Sequence, residues 1–457
     1  MKGLMMDFQL TVPAMLRRAE QLFAAKEVVS RLPDRSLHRC TYADVARRAK
    51  RLALALRELG VQPGDRVATF CWNHHQHLEA YFGVPCGGAI VHTINPRLHP
   101  SDLSYIVNHA DDRVILVDQT LLPLWERVAP EVGARRVIVV SEDGSAPEGM
   151  LSYERLLSEV DESAFRYPEP AEDDATAMCY TSGTTGRPKA VLYSHRSIAL
   201  HSLLLGMVDA MGIRETDVVC PVVPMFHVSA WGIPYACVLI GAKQVFPGPY
   251  LDPLSLLDLF VRERVTFTAG VPTIWLGILQ VLDQNPGTYD LSSIRLMGVG
   301  GSAAPESMIR GYQERHGLQV LHAWGMTETT PLGTVANLTS DLANLSDDER
   351  YAHRARQGTP MPFVEIRARG EAGLLPWDGA TMGELEVRGP WIAGAYYESP
   401  GSEDRFTEDG WFKTGDIVTI DRRGSVKIQD RAKDLIKSGG EWISSVELEN
   451  ALMGHPA

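Results

Sequence analysis

The sequence predicts an α/β protein, and three observations lead to that prediction. Short β-branched runs alternate with helical periodicity through the first third of the 457 residues, as in sheets that carry helices on both faces. A second segment of the same kind runs from about residue 176 to about residue 330. After Gly358, short strands are separated by Gly and Pro turns without a long helix. We therefore expect two doubly wound α/β subdomains followed by a β-barrel-like subdomain.

The first clear element is a helix that begins after Thr41 and ends at Gly60. Thr41 is a good N-cap, apolar positions 45, 49, 52, 56 and 59 fall on one face, and Gly60 suits a helix end. A Pro-Gly turn at 63–64 then leads into a buried strand at 66–70. Further strands are predicted at 114–117, 137–140, 218–223, 296–300, 364–368 and 383–388, with an acidic connector at 161–174.

Composition excludes several classes of protein. Hydrophobic residues make up 45% and charged residues 22% of the chain, and the formal net charge is -13. Nucleic-acid binding needs a clustered basic face, and the basic residues at 47–51 are interpreted as the solvated face of one helix. The six cysteines form no C-x-x-C pair, so we expect reduced thiols and a cytoplasmic location. No signal peptide and no membrane span are expected.

Three histidines at 74, 75 and 77 raise the question of a metal site. Side chains one and three positions apart on a helix do not converge on one ion. No nearby cysteine or carboxylate is seen to complete a zinc set. We interpret these histidines as a surface cluster at the start of a helix.

The strongest chemical signal is YTSGTTGRPK at residues 180–189. Glycines let the backbone approach an anion, hydroxyls and N–H groups can surround phosphate oxygens, and Lys189 adds a positive charge. The pattern is not a Walker-type loop. A flexible Ser/Thr/Gly surface loop is the alternative, but the full ten-residue string favours phosphate binding.

This string resembles the phosphate-binding signature of the adenylate-forming (AMP-binding) superfamily. Other segments resemble motifs of that superfamily in the same order: PMFHVSAW at 224–231, GGSAAP at 300–305, WGMTE at 324–328, TGD at 414–416 and DRAKD at 430–434. WGMTE has Trp where the superfamily has Tyr. The resemblance covers almost the whole chain and is strongest to the medium- and long-chain fatty-acyl-CoA synthetase branch. It implies that ATP and Mg²⁺ activate a fatty acid as acyl-AMP, and that CoA then accepts the acyl group.

The resemblance also assigns roles to individual residues. Thr181 and Glu328 would hold Mg²⁺, whose preferred ligands are hard oxygens. The residues implied in catalysis are Lys189, His227, Thr327, Glu328 and Lys437. His227 has a second interpretation as a core residue, and Trp231 could line the acyl tunnel or only pack. The residues implied in binding ATP, the acyl group or CoA are Thr181, Ser182, Gly183, Thr184, Thr185, Gly186, Val228, Trp231, Gly301, Ser302, Ala303, His322, Ala323, Trp324, Thr327, Asp416, Arg431, Lys433 and Trp442.

By the same resemblance, residues 1–430 form the large domain, with subdomains at about 1–175, 176–330 and 331–430. Residues 431–457 would be the hinge and the start of a truncated small C-terminal domain, so we expect ATP binding but slow ligation. Alternatives remain open: an aryl or short thioether acid, a carrier-protein thiol as acceptor, or an adenylate-binding protein without turnover. The resemblance leaves a homodimer open and does not give the preferred chain length.

Overall fold

The computed structural model describes residues 1, 3–133, 135–181, 187–342 and 344–432, together with the backbone of 436–438 and 441–443. Its helices are α1 Val12–Leu22, α2 Tyr42–Glu58, α3 His75–Cys86, α4 Pro100–Ala110, α5 Leu122–Val128, α6 Tyr153–Glu159, α7 His195–Leu205, α8 Val228–Trp231, α9 Ile233–Ile240, α10 Pro253–Glu263, α11 Pro272–Gln284, α12 Glu306–Arg310 and α13 Asp347–Arg354. Its strands are β1 Glu27–Arg31, β2 Leu37–Thr41, β3 Arg66–Phe70, β4 Ile90–Thr93, β5 Asp112–Asp118, β6 Arg136–Val140, β7 Leu151–Ser152, β8 Ala175–Tyr180, β9 Ala190–Ser194, β10 Val218–Pro221, β11 Lys243–Phe246, β12 Phe267–Gly270, β13 Leu296–Val299, β14 Val320–Gly325, β15 Leu332–Val335, β16 Thr359–Pro360, β17 Glu365–Gly370, β18 Gly373–Leu374, β19 Gly383–Arg388, β20 Phe412–Ile420, β21 Val426–Arg431, β22 Ile436–Ser438 and β23 Glu441–Ile443.

The first large sheet has seven strands in the order β7-β6-β5-β3-β4-β8-β9. All neighbours are parallel except β8 and β9. Adjacent residues of β3 enter different cores: Val67 packs with α2 and α3, and Ala68 packs with α4 and α5. This alternation is the period-two pattern of a strand that is buried on both faces.

The second large sheet has nine strands in the order β16-β15-β14-β13-β12-β10-β11-β1-β2. Its centre, from β14 to β1, is parallel, and α10 and α11 cover one face through Leu256, Phe260 and Trp275. The predicted α/β class is therefore confirmed. Because β1 and β2 join this sheet while β8 and β9 join the first, sheet membership does not follow chain order. The subdomain ranges stay a prediction.

The segment after Gly358 forms a five-stranded antiparallel sheet in the order β18-β17-β19-β20-β21. In the described part of this segment the only helical stretch is one 3₁₀ turn at Glu403–Arg405. The strands predicted at 364–368 and 383–388 correspond to β17 and β19. Further along the chain, β22 and β23 pair antiparallel.

Helix α2 begins where its sequence predicts, because Thr41 and Asp44 satisfy each other's backbone N–H groups in a capping box. The prediction that its basic residues form a solvated face is only partly right: the Arg47 side chain is 44% exposed, but those of Arg48 and Lys50 are only 21% and 15% exposed. Each basic side chain between 47 and 51 has a carboxylate partner, and Arg48 contacts both the buried Glu79 and Glu154. Arg48, Lys50 and Arg51 thereby join α2 to neighbouring elements, whereas Arg47 pairs with Asp44 of α2 itself.

One side chain joins the two large sheets. Asn73 follows β3 and is 3% exposed. Its amide group donates to the carbonyl oxygens of Pro221 and Val223 at 3.0 and 2.9 Å, and its carbonyl oxygen accepts from the Met225 N–H at 2.7 Å. The loop after β3 thereby fixes the stretch of chain that leads from β10 towards His227.

Among the described residues, none of the helices combines the length and the hydrophobicity that crossing a bilayer requires.

Candidate active site

A cleft with a cavity volume of about 60 Å³ lies beside the end of β14. Part of its lining is the predicted motifs, which the fold brings together: His227, Val228, Trp231, Gly301, Ala323, Trp324 and Thr327. The rest of the lining includes apolar side chains that no motif predicts: Leu205, Met211, Ile233 and Leu332. The cleft therefore joins the polar motifs to an apolar pocket.

The ends of the predicted phosphate loop directly adjoin two paired strands. Thr181 follows β8, Lys189 precedes β9, and the Thr181 N–H donates to the Lys189 carbonyl oxygen at 2.9 Å. The Lys189 N–H in turn donates to the Thr181 hydroxyl oxygen at 3.1 Å. These two bonds close the base of the loop. Ser182, Gly183, Thr184, Thr185 and Gly186 lie outside the described residues.

Glu328 is a buried carboxylate near the phosphate loop, with 5% of its surface exposed. It lies on a 3₁₀ turn, Thr327–Thr329, and accepts a hydrogen bond from the Tyr396 hydroxyl at 2.5 Å. The Lys189 ammonium group lies over the Tyr396 ring, 4.9 Å from its centre. Burial, and then the charge of Glu328, raise the Tyr396 pKa, so this hydroxyl stays a donor. Within the described residues, Glu328 has no cationic side chain as an ion-pair partner.

Asp416 on β20 is the second buried carboxylate, with 1% exposure. One oxygen accepts from the Trp324 indole N–H at 3.0 Å, and the other lies 3.0 Å from the Arg431 Nε. Burial raises the Asp416 pKa, while Arg431 and the Trp324 bond act in the opposite direction. The substitution of Trp for Tyr in the WGMTE motif thus supplies a donor that holds this carboxylate.

Helix α8, which forms one wall of the cleft, has left-handed backbone geometry. Val228, Ser229, Ala230 and Trp231 have φ angles of 45°, 52°, 50° and 58°, and Gly232 follows at 71°. A left-handed helix costs non-glycine residues roughly 1–2 kcal/mol each, and such strain concentrates at functional sites. At Gly232 an added Cβ would lie 2.7 Å from Nδ1 of the buried His201, so only glycine fits.

A glycine pair, Gly300 and Gly301, lies next to the Trp231 ring. A Cβ on Gly300 would lie 2.8 Å from the Ala323 carbonyl oxygen and 3.3 Å from the Trp231 ring. Gly301 has a φ of 82° and is exposed together with Ser302, whereas Ala303 is half-buried. His322 is buried, contacts the Ala355 carbonyl oxygen at 3.1 Å, and has its pKa lowered by burial.

His227 is the N-terminal flanking residue of α8, and its side chain is exposed at the cleft. Crowding by protein atoms still desolvates the ring enough to lower its pKa. The core interpretation of His227 is therefore wrong, and the imidazole is mainly neutral near pH 7.

The prediction of a surface cluster for His74, His75 and His77 is correct about the helix start and wrong about exposure. All three are buried, with 8%, 3% and 1% exposure. His74 caps α3 and pairs with Asp118 at 2.9 Å, and Cys71 lies close to both, so the expectation that no cysteine or carboxylate lies near these histidines is also wrong. Because both His74 nitrogens and the Asp118 oxygens already have protein partners, these contacts account for the cluster without an ion.

Predictions near the end of the chain are described only in part. Arg431 contacts Asp416 as stated above, and Lys433 lies outside the described residues. Lys437 on β22 lies opposite Trp442 on β23 in the antiparallel register, as expected of a hairpin. The side chains of these two residues are not among those described.

The site also contains residues that the motifs missed. Tyr396 lies 68 positions from Glu328, and the Tyr193 hydroxyl donates to the Thr327 carbonyl oxygen at 2.7 Å. Leu205 and Met211 come from the end of α7 and the following loop. Nothing in the local sequence around these residues indicates a site, because only the fold brings them to it.

Comparison with known proteins places this geometry in a family. A family model described as AMP-binding enzyme matches residues 16–397. A long-chain-fatty-acid–CoA ligase of Thermus thermophilus is 52% identical over 99% of this chain and 82% of its own length. A medium-chain-fatty-acid–CoA ligase of Ectopseudomonas oleovorans is 44% identical over 100% of this chain and 84% of its own. A 3-methylmercaptopropionyl-CoA ligase of Ruegeria pomeroyi is 43% identical over 100% and 85%.

Solved structures agree with the sequence comparisons. An anthranilate CoA ligase in complex with anthranoyl-AMP has a TM-score of 0.88 at 25% identity, covering 100% of this chain and 85% of its own. ATP-bound MatB of Rhodopseudomonas palustris has a TM-score of 0.82 at 27% identity, covering 98% and 84%. The family match covers most of the chain, and the motifs at 224–231, 300–305 and 324–328 line one cleft. The chain therefore belongs to the AMP-binding enzyme family.

Proposed function

We propose that this enzyme is a fatty acid–CoA ligase. It would activate a medium- or long-chain fatty acid with ATP to acyl-AMP, releasing pyrophosphate, and then transfer the acyl group to the CoA thiol with release of AMP. The observation that carries the proposal is the continuity of the cleft. An apolar pocket lined by Leu205, Val228 and Ile233 opens directly onto Thr327 and Trp324, beside the buried Glu328 and Asp416.

The first step brings two anions together, so neutralising and positioning charge is the main task of the site. Lys189 and the hydroxyl-rich loop from Thr181 would bind the phosphates of ATP. Thr327 would contact the α-phosphate, since Tyr193 holds its backbone in place.

Glu328 and Thr181 would hold Mg²⁺, and their chemistry fits this ion. Glu328 is a buried carboxylate whose only described partner is the neutral Tyr396 hydroxyl, and an unneutralised buried charge is unfavourable without a cation. The Thr181 hydroxyl is a second hard oxygen ligand. When bound, Mg²⁺ would neutralise phosphate charge and favour the departure of pyrophosphate.

Asp416 would accept hydrogen bonds from the ribose hydroxyls. Its bonds to Trp324 and Arg431 orient the carboxylate, and each oxygen retains capacity for a further donor. The adenine would lie against Trp324 and the loop formed by Gly301, Ser302 and Ala303, with His322 and Ala323 behind it.

For the second step, His227 would border the acyl-AMP carbonyl carbon and the path by which the CoA thiol attacks it, with AMP as the leaving group. Its neutral imidazole would add no positive charge there. Val228 and Trp231 would line the acyl entrance. Lys433, Lys437 and Trp442 are proposed to serve the thioester step from the hinge and hairpin.

A short thioether acid is the second candidate substrate. The Ruegeria pomeroyi relative and the medium-chain relative are almost equally similar to this chain, at 43% and 44% identity. An apolar pocket would accept either kind of acid.

A panel of acids of about three to eighteen carbons distinguishes the candidates. Pyrophosphate release and CoA-dependent AMP formation are measured for the wild type and for Glu328→Gln, which removes one charge at constant volume. We expect a maximum among medium or long acids, and loss of most adenylation in the variant with unchanged thermal stability. A maximum at short thioether acids would select the second candidate. Full adenylation by Glu328→Gln would refute the metal assignment.

A further inference from the structure

One stretch of chain borders the apolar part of the cleft. We use the name distal wall for residues 205–212, which begin at the last residue of α7. Leu205 and Met211 line the cleft and are 2% and 4% exposed. Between them in sequence, Met207 and Val208 are 44% and 82% exposed. One loop thus has its inner side chains in the acyl pocket and its outer side chains in solvent.

The outer face of the distal wall is apolar. Leu203, in the last turn of α7, is 54% exposed and continues the surface of Met207 and Val208. Leu338 is 41% exposed and follows Asn337, whose amide group donates to the Asp209 carbonyl oxygen. Exposed apolar side chains that cluster in this way mark a binding surface more often than isolated ones do.

The distal wall has firm contacts with the rest of the protein at Gly206 and Gly212 and few polar contacts between these two glycines. Gly206 packs on the Ile240 side chain, with only 3.0 Å available to an added Cβ. Gly212 has its carbonyl oxygen bound by the Arg295 guanidinium at 2.7 Å. Among the described residues, Asn337 is the only side chain from elsewhere that hydrogen-bonds the stretch between these glycines. Outward movement of this stretch would break few polar contacts.

We propose that the distal wall sets the acyl chain length, and that longer chains pass between Leu205 and Met211 onto the apolar outer face. The occupant of that face is the methyl end of the substrate's own acyl chain. This inference rests on the proposed fatty-acid function. A methylene left in water instead of apolar surroundings weakens binding roughly fourfold, so the outer face would favour long acids that the cleft alone cannot hold.

The two methionines of the distal wall provide a matched test. Met211→Ala removes an inner side chain, and Met207→Ala removes an outer one. For each variant, kcat/KM is measured by pyrophosphate release with acids of about six to eighteen carbons. We expect Met211→Ala to raise the ratio of long-acid to short-acid kcat/KM about tenfold. Met207→Ala should leave short acids unchanged and lower the longest acids several-fold.

A direct readout does not depend on turnover. Val208→Cys is labelled with an environment-sensitive fluorophore in a Cys40→Ser background, because Cys40 is the one native cysteine that is not fully buried. We expect the emission to shift with acids above a threshold length and to stay constant below it. An equal response to all lengths, no response at any length, or a uniform loss of kcat/KM in Met211→Ala would overturn the proposal.

The same measurements distinguish a failure of the proposed fatty-acid function from a failure of the proposed length dependence. If the wild type releases pyrophosphate with no acid of the series, the fatty-acid function is wrong and this inference falls with it. If the wild type is active and only the length dependence fails, the inference alone is wrong.

Discussion

Gly232→Ala tests whether the left-handed wall of the cleft depends on one missing side chain. At a φ of 71°, the alanine would incur roughly 1–2 kcal/mol of backbone strain. Its Cβ would also lie 2.7 and 2.9 Å from two atoms of the His201 ring. His201 is 1% exposed and accepts the Leu332 N–H at 3.3 Å, so the ring cannot simply turn away. Overpacking of this kind costs about 1–3 kcal/mol.

We therefore expect Gly232→Ala to lose about 2–5 kcal/mol of unfolding free energy. The matched control is Gly410→Ala, since Gly410 has a φ of 83° and nothing within 4 Å of an added Cβ. The control should lose only the backbone share of about 1–2 kcal/mol. Urea unfolding followed by tryptophan fluorescence measures both, with pyrophosphate release measured alongside.

Because Val228 and Trp231 precede the strained position, Gly232→Ala should also lower fatty-acid turnover while Gly410→Ala leaves it unchanged. Equal stability losses in the two variants would show that His201 does not crowd Gly232. That result would refute the argument that this contact fixes the left-handed wall.

Three further predictions follow from the site and the buried histidines. Tyr396→Phe removes the donor to Glu328 and should reduce adenylation about tenfold with little change in melting temperature; unchanged pyrophosphate release would separate Tyr396 from the reaction. Asp416→Asn should weaken ATP binding several-fold to a hundredfold, since hydrogen bonds to a charged acceptor contribute about 1.5–3 kcal/mol, and calorimetric titration with ATP measures it. Burial lowers the pKa values of His77 and His201 to about 3. Both pKa values lie below the unfolded value of about 6.5, so the folded state resists protonation of these histidines. The free energy of unfolding is therefore at its full value above pH 6.5 and falls on acidification, by about 2 kcal/mol per histidine at pH 5. His77→Gln should flatten the urea-unfolding profile between pH 7 and pH 5, and an unchanged slope would contradict the assignment.

Local signals in the sequence predicted local structure well. The helix after Thr41 was predictable because its cap, its apolar face and its terminal glycine all lie within about twenty residues. The strands at 66–70 and 383–388 were predictable because their turn residues and apolar residues also lie within or next to the segment. In each case the deciding interactions lie within the segment or along its own faces.

Burial by distant elements could not be predicted from local pattern. The histidines at 74 and 75 look polar and solvent-facing, yet Asp118 binds one and the Ser30 hydroxyl accepts the N–H of the other. Leu205 and Met211 likewise become pocket residues only because the fold brings α7 to β15, where His201 accepts the Leu332 N–H. The Tyr396 contact to Glu328 depends on the same long-range folding.

The three hydrogen bonds of Asn73 have a consequence for how the protein opens. The Met225 N–H is paired with a side chain from the other sheet, so it becomes exposed to solvent only when the two sheets separate. In hydrogen–deuterium exchange, this amide should therefore share the protection of the β3 region and not that of a surface loop. If the sheets open as one cooperative unit, Asn73→Ala should speed exchange at Met225 and in the neighbouring chain before His227, while the five-stranded sheet keeps its own rate. The chain that leads to the cleft wall would then keep its position only as long as the two large sheets stay together.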